Sequence, residues 1–292
     1  MLGAGGWLGR TLIDDGILSE AHEFQLVGSK RRNITVGGLS WPINAWDEAS
    51  VQAFAPTAIF NFAFLTREKE LELGIQEFVS QNKGLSERFL WAAQLPSVKF
   101  AMTVSSGVAR DDHLLGVAFE KEPYGHLKRS EEEDFLNQET HVAKIVLRAF
   151  AVSGPHVLRP SAYAFSDFIL QAQSGLIRIK ATRPTYRSYV SVSDALTLVT
   201  RLWSGGRSGV LETGGDVTEM GELADAVRHT VNPAASIERA ELAHDDPQIY
   251  ASSDGSWDSA CLQTGFHPMD LHAQIKSAAA GLTWPRTFLG QK

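Results

Sequence analysis

Tyr124 and Lys128 stand four residues apart in Tyr124-Gly125-His126-Leu127-Lys128, a spacing that puts a phenol and an ammonium on one face of a helix. A free phenol ionises near pH ~10, and a neighbouring cation favours its phenolate. A tyrosine tuned in this way gives or takes the proton of a carbinol while a hydride moves. Upstream, Ser105-Ser106-Gly107 follows an apolar run, which places hydroxyls at the carboxyl end of a strand, where they can bond a substrate oxygen. A third group opens the chain: Gly3-Ala4-Gly5-Gly6-Trp7-Leu8-Gly9, glycines three apart ahead of Thr11-Leu12-Ile13. Such glycines let a chain turn tightly out of a strand, bring backbone against a pyrophosphate and pack the next helix on the sheet. The helix N-terminus then faces the phosphates with free amides, so a nucleotide cofactor is the first expectation.

These groups need a scaffold, and the pattern supplies one. Short apolar runs at Phe24–Val27, Thr57–Phe62, Val98–Val104 and Val142–Arg148 read as strands, with a last one near Val210–Glu212. Between them Val79–Ala93 carries helical periodicity, and Ser130–Gln138 opens with acids suited to a helix start. Further helices are expected at Met220–Val227 and Leu271–Ala279. Alternation of this kind predicts an α/β fold, a doubly wound parallel sheet covered on both faces, with ligands at the carboxyl ends of its strands. The strand leading into the glycine turn is reduced to Met1 and Leu2; the expectation is either a start further upstream or a central strand largely missing. A dinucleotide-binding unit is expected over residues 1–155, with 189–214 returning to it, and a substrate-binding region over 156–188 and 215–292.

The 292 residues are 43% hydrophobic and 21% charged, enough for a full core. A net charge of −7 argues against a nucleic-acid surface. No apolar run approaches the ~20 residues of a membrane span, and a cytoplasmic location is expected. Cys261 is the only cysteine, which leaves no disulfide framework, and the histidines show no metal-ligand spacing. His126 is expected at the surface, His156 close to the substrate pocket, and Glu131-Glu132-Glu133-Asp134 at a helix start facing water. Phe165 and Phe168 are expected in the packing.

Glycine turn, strand-end serines and Tyr124/Lys128, in that order, resemble the extended short-chain dehydrogenase/reductase superfamily, in particular its nucleotide-sugar epimerase/dehydratase/reductase branch. Asn82 in Val79-Ser80-Gln81-Asn82 resembles the asparagine of that family's long helix, and Phe150-Ala151-Val152-Ser153-Gly154-Pro155 its turn after the sixth strand. Tyr186-Arg187-Ser188-Tyr189-Val190-Ser191-Val192-Ser193-Asp194 resembles its Arg-x-Tyr-(Ile/Val)-x-Val-x-Asp stretch, and Leu262–Pro268 its closing segment. The resemblance implies a triad of Ser105, Tyr124 and Lys128, with Ser105 preferred to Ser106 because Val108 lies three residues on, and a register slip of one left open. Tyr124 would be the acid/base; Lys128 would lower its pKa and hold the nicotinamide ribose. Cofactor contacts are implied at Gly3, Gly6, Trp7, Leu8, Gly9, Phe62, Ala63, Asn82 and Phe150 besides Tyr124 and Lys128. Ser105, Ser106, Tyr163 and Arg187 would meet the substrate, Arg187 gripping a diphosphate.

Departures from the family pattern narrow the reaction. Ser106-Gly107 stands where dehydratases carry an Asp-Glu pair, which disfavours dehydration, and Ala151 replaces an asparagine. After the second strand, Gly28-Ser29-Lys30-Arg31-Arg32 offers a hydroxyl and cations where an NAD-selective enzyme ends in an acid. Ser29, Lys30 and Arg31 therefore favour NADP(H) over NAD(H). The expectation is an NADP(H)-dependent ketoreductase of a nucleotide-linked keto-(deoxy)hexose. The alternatives are an epimerase with tightly bound NAD or, from another class, a catalytically impaired nucleotide-binding protein. A homodimer is implied by the family alone, through the helices near Val79–Ala93 and Tyr124–Gln138.

Overall fold

A computed structural model describes residues 1–17 and 22–282. The glycine turn leads into α1 (Trp7–Asp14), followed by β1 (Val27–Gly28), the hairpin β2 (Arg32–Val36) and β3 (Leu39–Ala45), α2 (Glu48–Phe54), β4 (Ala58–Asn61), α3 (Arg67–Leu73) and α4 (Ile75–Ala93). Then come β5 (Phe100–Ser106), α5 (Asp111–Leu114), α6 (Pro123–Leu136), β6 (Ala143–Ala149), β7 (Ala151–Ser153), α7 (Ala164–Gln173), β8 (Leu176–Ile179) and β9 (Thr185–Ser191). The chain continues through α8 (Val192–Ser204), β10 (Gly209–Glu212), β11 (Val217–Glu219), α9 (Met220–Val231), β12 (Ser236–Arg239), β13 (Gln248–Tyr250), α10 (Ser256–Thr264) and α11 (Leu271–Gly281).

The main sheet runs β3, β1, Leu2, β4, β5, β6, β10, every neighbouring pair parallel. Leu2 fills the place between β1 and β4. Its N–H donates to the Phe60 carbonyl at 2.9 Å and its carbonyl accepts from Phe62 N–H at 3.0 Å. On the other side Gly3 N–H donates to Val27 O at 3.0 Å and Val27 N–H to Met1 O at 2.9 Å. Leu2 thus lies inside the sheet, where the strand order reverses and α/β folds open their ligand crevice. Beside it, toward the amino ends of the strands, lies a cavity of about 300 Å³ lined by Met1, Phe24, Gln25, Pro56, Ala58 and Trp203 among others.

Apolar strands fill both faces of this sheet. Phe89 of α4 and Phe135 of α6 are fully buried with ring centroids 4.7 Å apart, each burial worth about 2–3 kcal/mol. On the opposite face Phe60, Phe100 and Trp203 pack together, the last two stacked at 4.8 Å. The other region is built on β9, which pairs with β7, β11 and β13, beside the two-stranded β8/β12 ribbon. The expected return to the main sheet at 189 begins instead with α8 and β10, because β9 stays in this second sheet through Ser191.

Two expectations about helices are corrected. α6 begins at Pro123 rather than near Ser130: proline occupies its first turn and the Glu122 carboxylate caps Gly125 N–H at 3.1 Å. Glu131 and Glu132 do not face water but are buried at 2% and 1% exposure, because buried cations and hydroxyls of the sheet await them.

A carboxylate clamp holds the second region together. Glu219 caps α9, accepts from Gly221 N–H at 2.6 Å and Thr185 N–H at 3.2 Å, and takes a two-point pair from Arg239 at 2.6 and 2.8 Å. The Arg239 hydrogen bonds lower its pKa from 4.5 to about 2. A carboxylate with a depressed folded pKa stabilises fully above its unfolded value and loses that stability as pH falls toward the folded one. Unfolding free energy is therefore expected to drop by about 1–2 kcal/mol more between pH 4.5 and pH 2 in the native protein than in Glu219→Gln, after allowance for solvent screening. Denaturant titrations across that range check it.

Candidate active site

The glycine turn meets its steric expectation. Gly3 has φ +73°, and a Cβ there would lie 2.6 Å from the Phe62 and Ala63 backbone; one on Gly9 would lie 2.6 Å from Ala4 backbone. No side chain caps α1, and the helical ladder begins with Arg10 N–H donating to Gly6 O. The amides of Trp7, Leu8 and Gly9 therefore lead the helix without acceptors from its own ladder. The turn opens onto a groove of about 230 Å³ whose walls include Gly3, Gly6, Ser29, Arg32, Phe62 and Arg88. Backbone that only glycine permits, beside uncapped helix amides, fits a dinucleotide.

The basic segment contributes differently from the sequence expectation. Ser29 and Arg32 line the groove, while Lys30 and Arg31 are exposed outside its walls, because the chain turns into β2 and only Arg32 bends back, next to Gly5. Among the described residues no carboxylate lines the groove. Asn82 does not project into it either: fully buried, it accepts Leu65 N–H at 2.7 Å through Oδ1 and donates from Nδ2 to Leu65 O at 3.4 Å. It thereby fixes the loop after β4 that forms one wall.

At the carboxyl end of β5 the register decides between the two serines. Ser105 points into the sheet at 3% exposure with its hydroxyl unpartnered. Ser106 faces outward, its hydroxyl 3.1 Å from that of Tyr250 and beside the Tyr124 phenol. The residue brought to Tyr124 is thus Ser106, not Ser105.

Tyr124 sits in the first turn of α6 with Phe64 edge-on at 5.7 Å. Burial pushes its pKa above the usual phenol value; the cation that works against this is Arg67 of α3, over its ring at 5.7 Å. The sequence expected Lys128 in that role. Lys128 instead lies fully within the protein, donating to Val104 O at 2.6 Å, over the Phe64 ring at 3.5 Å and 3.6 Å from the Glu131 carboxylate. Burial lowers its pKa, opposed by Glu131. Glu131 in turn accepts from Thr103 at 2.7 Å and Ser86 at 2.5 Å, and Thr103 from Asn61 at 3.1 Å. A buried polar chain therefore runs from Lys128 through Glu131 and Thr103 to Asn61 of the sheet.

Substrate candidates gather on the other side. Tyr163 lies 5.7 Å from Trp7, and Phe150 rests on Gly107 and 4.9 Å from Tyr250. Arg187 donates to the Tyr186 carbonyl at 2.8 Å and to Gln248, with its guanidinium 5.6 Å from the Tyr250 ring. Among the described residues no carboxylate pairs with it, so its charge is not absorbed by a structural ion pair. His156 does not reach this pocket; it pairs with Asp14 of α1 at 2.8 Å.

Comparison with solved structures places this arrangement. The chain superposes on a UDP-N-acetylglucosamine 4-epimerase from Methanobrevibacter ruminantium M1, in complex with UDP-N-acetylmuramic acid, with a TM-score of 0.75 over 96% of each chain at 15% identity. The Bordetella bronchiseptica enzyme WbmG, in complex with NAD and UDP, gives 0.71 over 96% of this chain and 92% of that one at 19% identity. The fold is that of the extended short-chain dehydrogenases/reductases. In sequence the chain is 32% identical over 106 residues to UDP-glucuronic acid decarboxylase 3 of Arabidopsis thaliana, 35% of this chain and 31% of that protein. The match spans about a third of the length of the curated relatives. No family model matches. Within this dehydrogenase/reductase fold, Arg67 and Tyr250 stand beside Tyr124 and Ser106 without having been singled out from the sequence; neither lies at a fixed spacing from Tyr124.

Proposed function

We propose that the protein is an NAD(P)-dependent oxidoreductase acting on a nucleotide-linked keto sugar, with Tyr124 as acid/base. The observation that carries this reading is the placement of Tyr124, in the first turn of α6, beside Ser106 at the carboxyl end of β5, on the side of the sheet where the glycine groove opens. A bound nicotinamide would supply or accept hydride. Ser106 would hold the substrate oxygen, Tyr124 would give it a proton, and Lys128, kept in place by Val104 and Glu131, would hold the ribose. Arg187, with no carboxylate partner, would take a diphosphate oxygen pair.

NADP(H) is the preferred cofactor in this reading, since Arg32 and Arg88 flank a groove without acids and a 2′-phosphate needs cations without repulsion. The test is titration of the purified chain with NADPH and with NADH. Preference for NADPH, reduced about tenfold in Arg32→Ala, is the expected result; preference for NADH or co-purified NAD⁺ overturns it. A second reading, a UDP-sugar epimerase that retains NAD, draws support from the epimerases among the similar solved structures. Net consumption of NADPH with a keto-sugar nucleotide separates the two. We further propose a homodimer through the outer faces of α4 and α6, which sedimentation tests.

A further inference from the structure

Arg67 stands 55 residues before Glu122 in the chain, yet its Nη2 donates to Glu122 Oε2 at 2.6 Å. The other oxygen of that carboxylate accepts Gly125 N–H at 3.1 Å, in the turn of α6 that carries Tyr124. One carboxylate thus ties a guanidinium to the turn that bears the phenol, and the guanidinium carbon rests over the Tyr124 ring, 5.7 Å from its centroid. α3, which supplies Arg67, buries none of its own residues. It is held at its two ends and by charge. Asn82 fixes Leu65 ahead of it, Gly74 turns the chain behind it at φ +78°, and Glu72 pairs at 3.1 Å with Arg159 of the loop before α7. A surface helix without an apolar anchor is pinned by ion pairs where its arginine meets Tyr124.

We propose that Arg67 is a positioning residue: held over the Tyr124 ring by Glu122, its guanidinium stabilises the phenolate left when Tyr124 gives its proton to the substrate. This rests on the reading of Tyr124 as the acid/base. In that step the O–H bond of Tyr124 breaks, the alkoxide formed by hydride transfer gains the proton, and the negative charge passes to the phenol oxygen. A cation already in place meets that charge without reorganising. Lys128, one turn further along α6, keeps the ribose role, its ammonium turned to Val104 O, the Phe64 ring and Glu131.

The other groups around the phenol do not supply this charge. Tyr250 of β13 and Tyr163 ahead of α7 stand near it, and burial pushes both phenols up, which keeps them neutral at working pH. Arg187 of β9 lies over the Tyr250 ring, and His113 of α5 meets that ring at 5.8 Å. The cation over the Tyr124 ring is Arg67, and it opposes the burial that raises the phenol's pKa. Glu122 offsets part of the guanidinium charge, which sets the expected effect at about one pH unit, the low end of what an adjacent arginine does to an ionisable group.

The test replaces Tyr124 in the full-length protein by difluorotyrosine, whose phenol ionises well below that of tyrosine, and follows its ionisation by fluorine NMR. The expected result is a rise of about one pH unit in Arg67→Gln, a tenfold loss of acidity, with most of it recovered in Arg67→Lys. Added salt is expected to narrow the gap between Arg67 and Arg67→Gln proteins, because the Arg67 side chain is half exposed and its field is screened. An unmoved or lowered ionisation in Arg67→Gln, no recovery in Arg67→Lys, a gap that salt leaves unchanged, or a larger rise in Lys128→Gln overturns the proposal. Should Lys128→Gln fold poorly, the two Arg67 variants still decide. The resonance reports without turnover, so failure of the acid/base reading, seen as turnover that survives Tyr124→Phe, is distinguished from failure of the Arg67 link.

Discussion

Tyr124→Phe is expected to lower kcat by about three orders of magnitude while leaving dinucleotide affinity within about twofold. Removal of a general acid from a hydride transfer typically costs 10²–10⁴-fold, and the value here belongs in that range because among the described residues no imidazole or carboxylate hydrogen bonds Ser106 in its place. The substitution deletes one oxygen and keeps the ring, so the edge contact with Phe64 and the Arg67 guanidinium over its face both persist. The groove walls are drawn from the glycine turn, the ends of β1 and β4, and α4, and the wall residue Phe64 keeps its contact with the ring in the variant. Single-turnover oxidation of NADPH with a keto-sugar nucleotide, beside equilibrium binding of NADPH alone, separates the two quantities. A comparable fall in affinity would show that the phenol holds the cofactor, and a kcat within tenfold of the native value would remove it from the chemistry.

Arg148→Met is expected to destabilise the fold by about 3–5 kcal/mol. Arg148 bonds Glu132 of α6 through Nε and Nη2 at 2.6–3.1 Å and Glu212 of β10 at 3.2 Å, where both carboxylates are 3% exposed or less. Taking away one member of a buried ion network strands the others without water or partner. Arg110 remains to Glu212 at 3.0 Å, but among the described residues Glu132 keeps as an ion-pair partner only Arg129 at 4.0 Å, so the stranded charge is Glu132. The matching fall in Tm is about 2–4 °C per kcal/mol for a chain of this order of size. Calorimetry checks it, and the double variant Arg148→Met/Glu132→Leu, which removes the stranded charge, is expected to recover part of the loss.

Much of the scaffold was legible because its signals are local. The glycine spacing, the apolar runs that became β4, β5, β6 and β10, and the periodicity of α4 each follow from interactions within a few residues, and all were read within a few positions of their observed bounds. Choosing Ser106 over Ser105 was not legible, since alternation on β5 flips with a shift of one residue. Nor was the burial of Glu131 and Glu132: an acidic run reads as a solvated helix start until Lys128, Thr103 and Arg148 are seen to converge on it. Tyr250 reaches Ser106 only through tertiary structure, and no spacing along the chain announces it; Arg32 stands in the basic run the sequence does offer, but only the fold tells it apart from Lys30 and Arg31. The second sheet around β9 was missed for the same reason, being held by partners far away in sequence, whereas the β2/β3 hairpin was missed although its pairing is local and turns on Gly37-Gly38, both with positive φ.

The groove beside the glycine turn draws its walls from stretches far apart along the chain: Gly3, Gly5 and Gly6 of the turn, Ser29 and Arg32 after β1, Phe62 to Leu65 after β4, and Leu85 and Arg88 of α4. Only the folded chain brings these together, so a ligand that touches all of them binds the native state and not the unfolded one. By mass action a dinucleotide there at a hundred times its Kd would add about 2.7 kcal/mol to the folded state. Thermal stability would then report occupancy of the groove as directly as any assay of turnover.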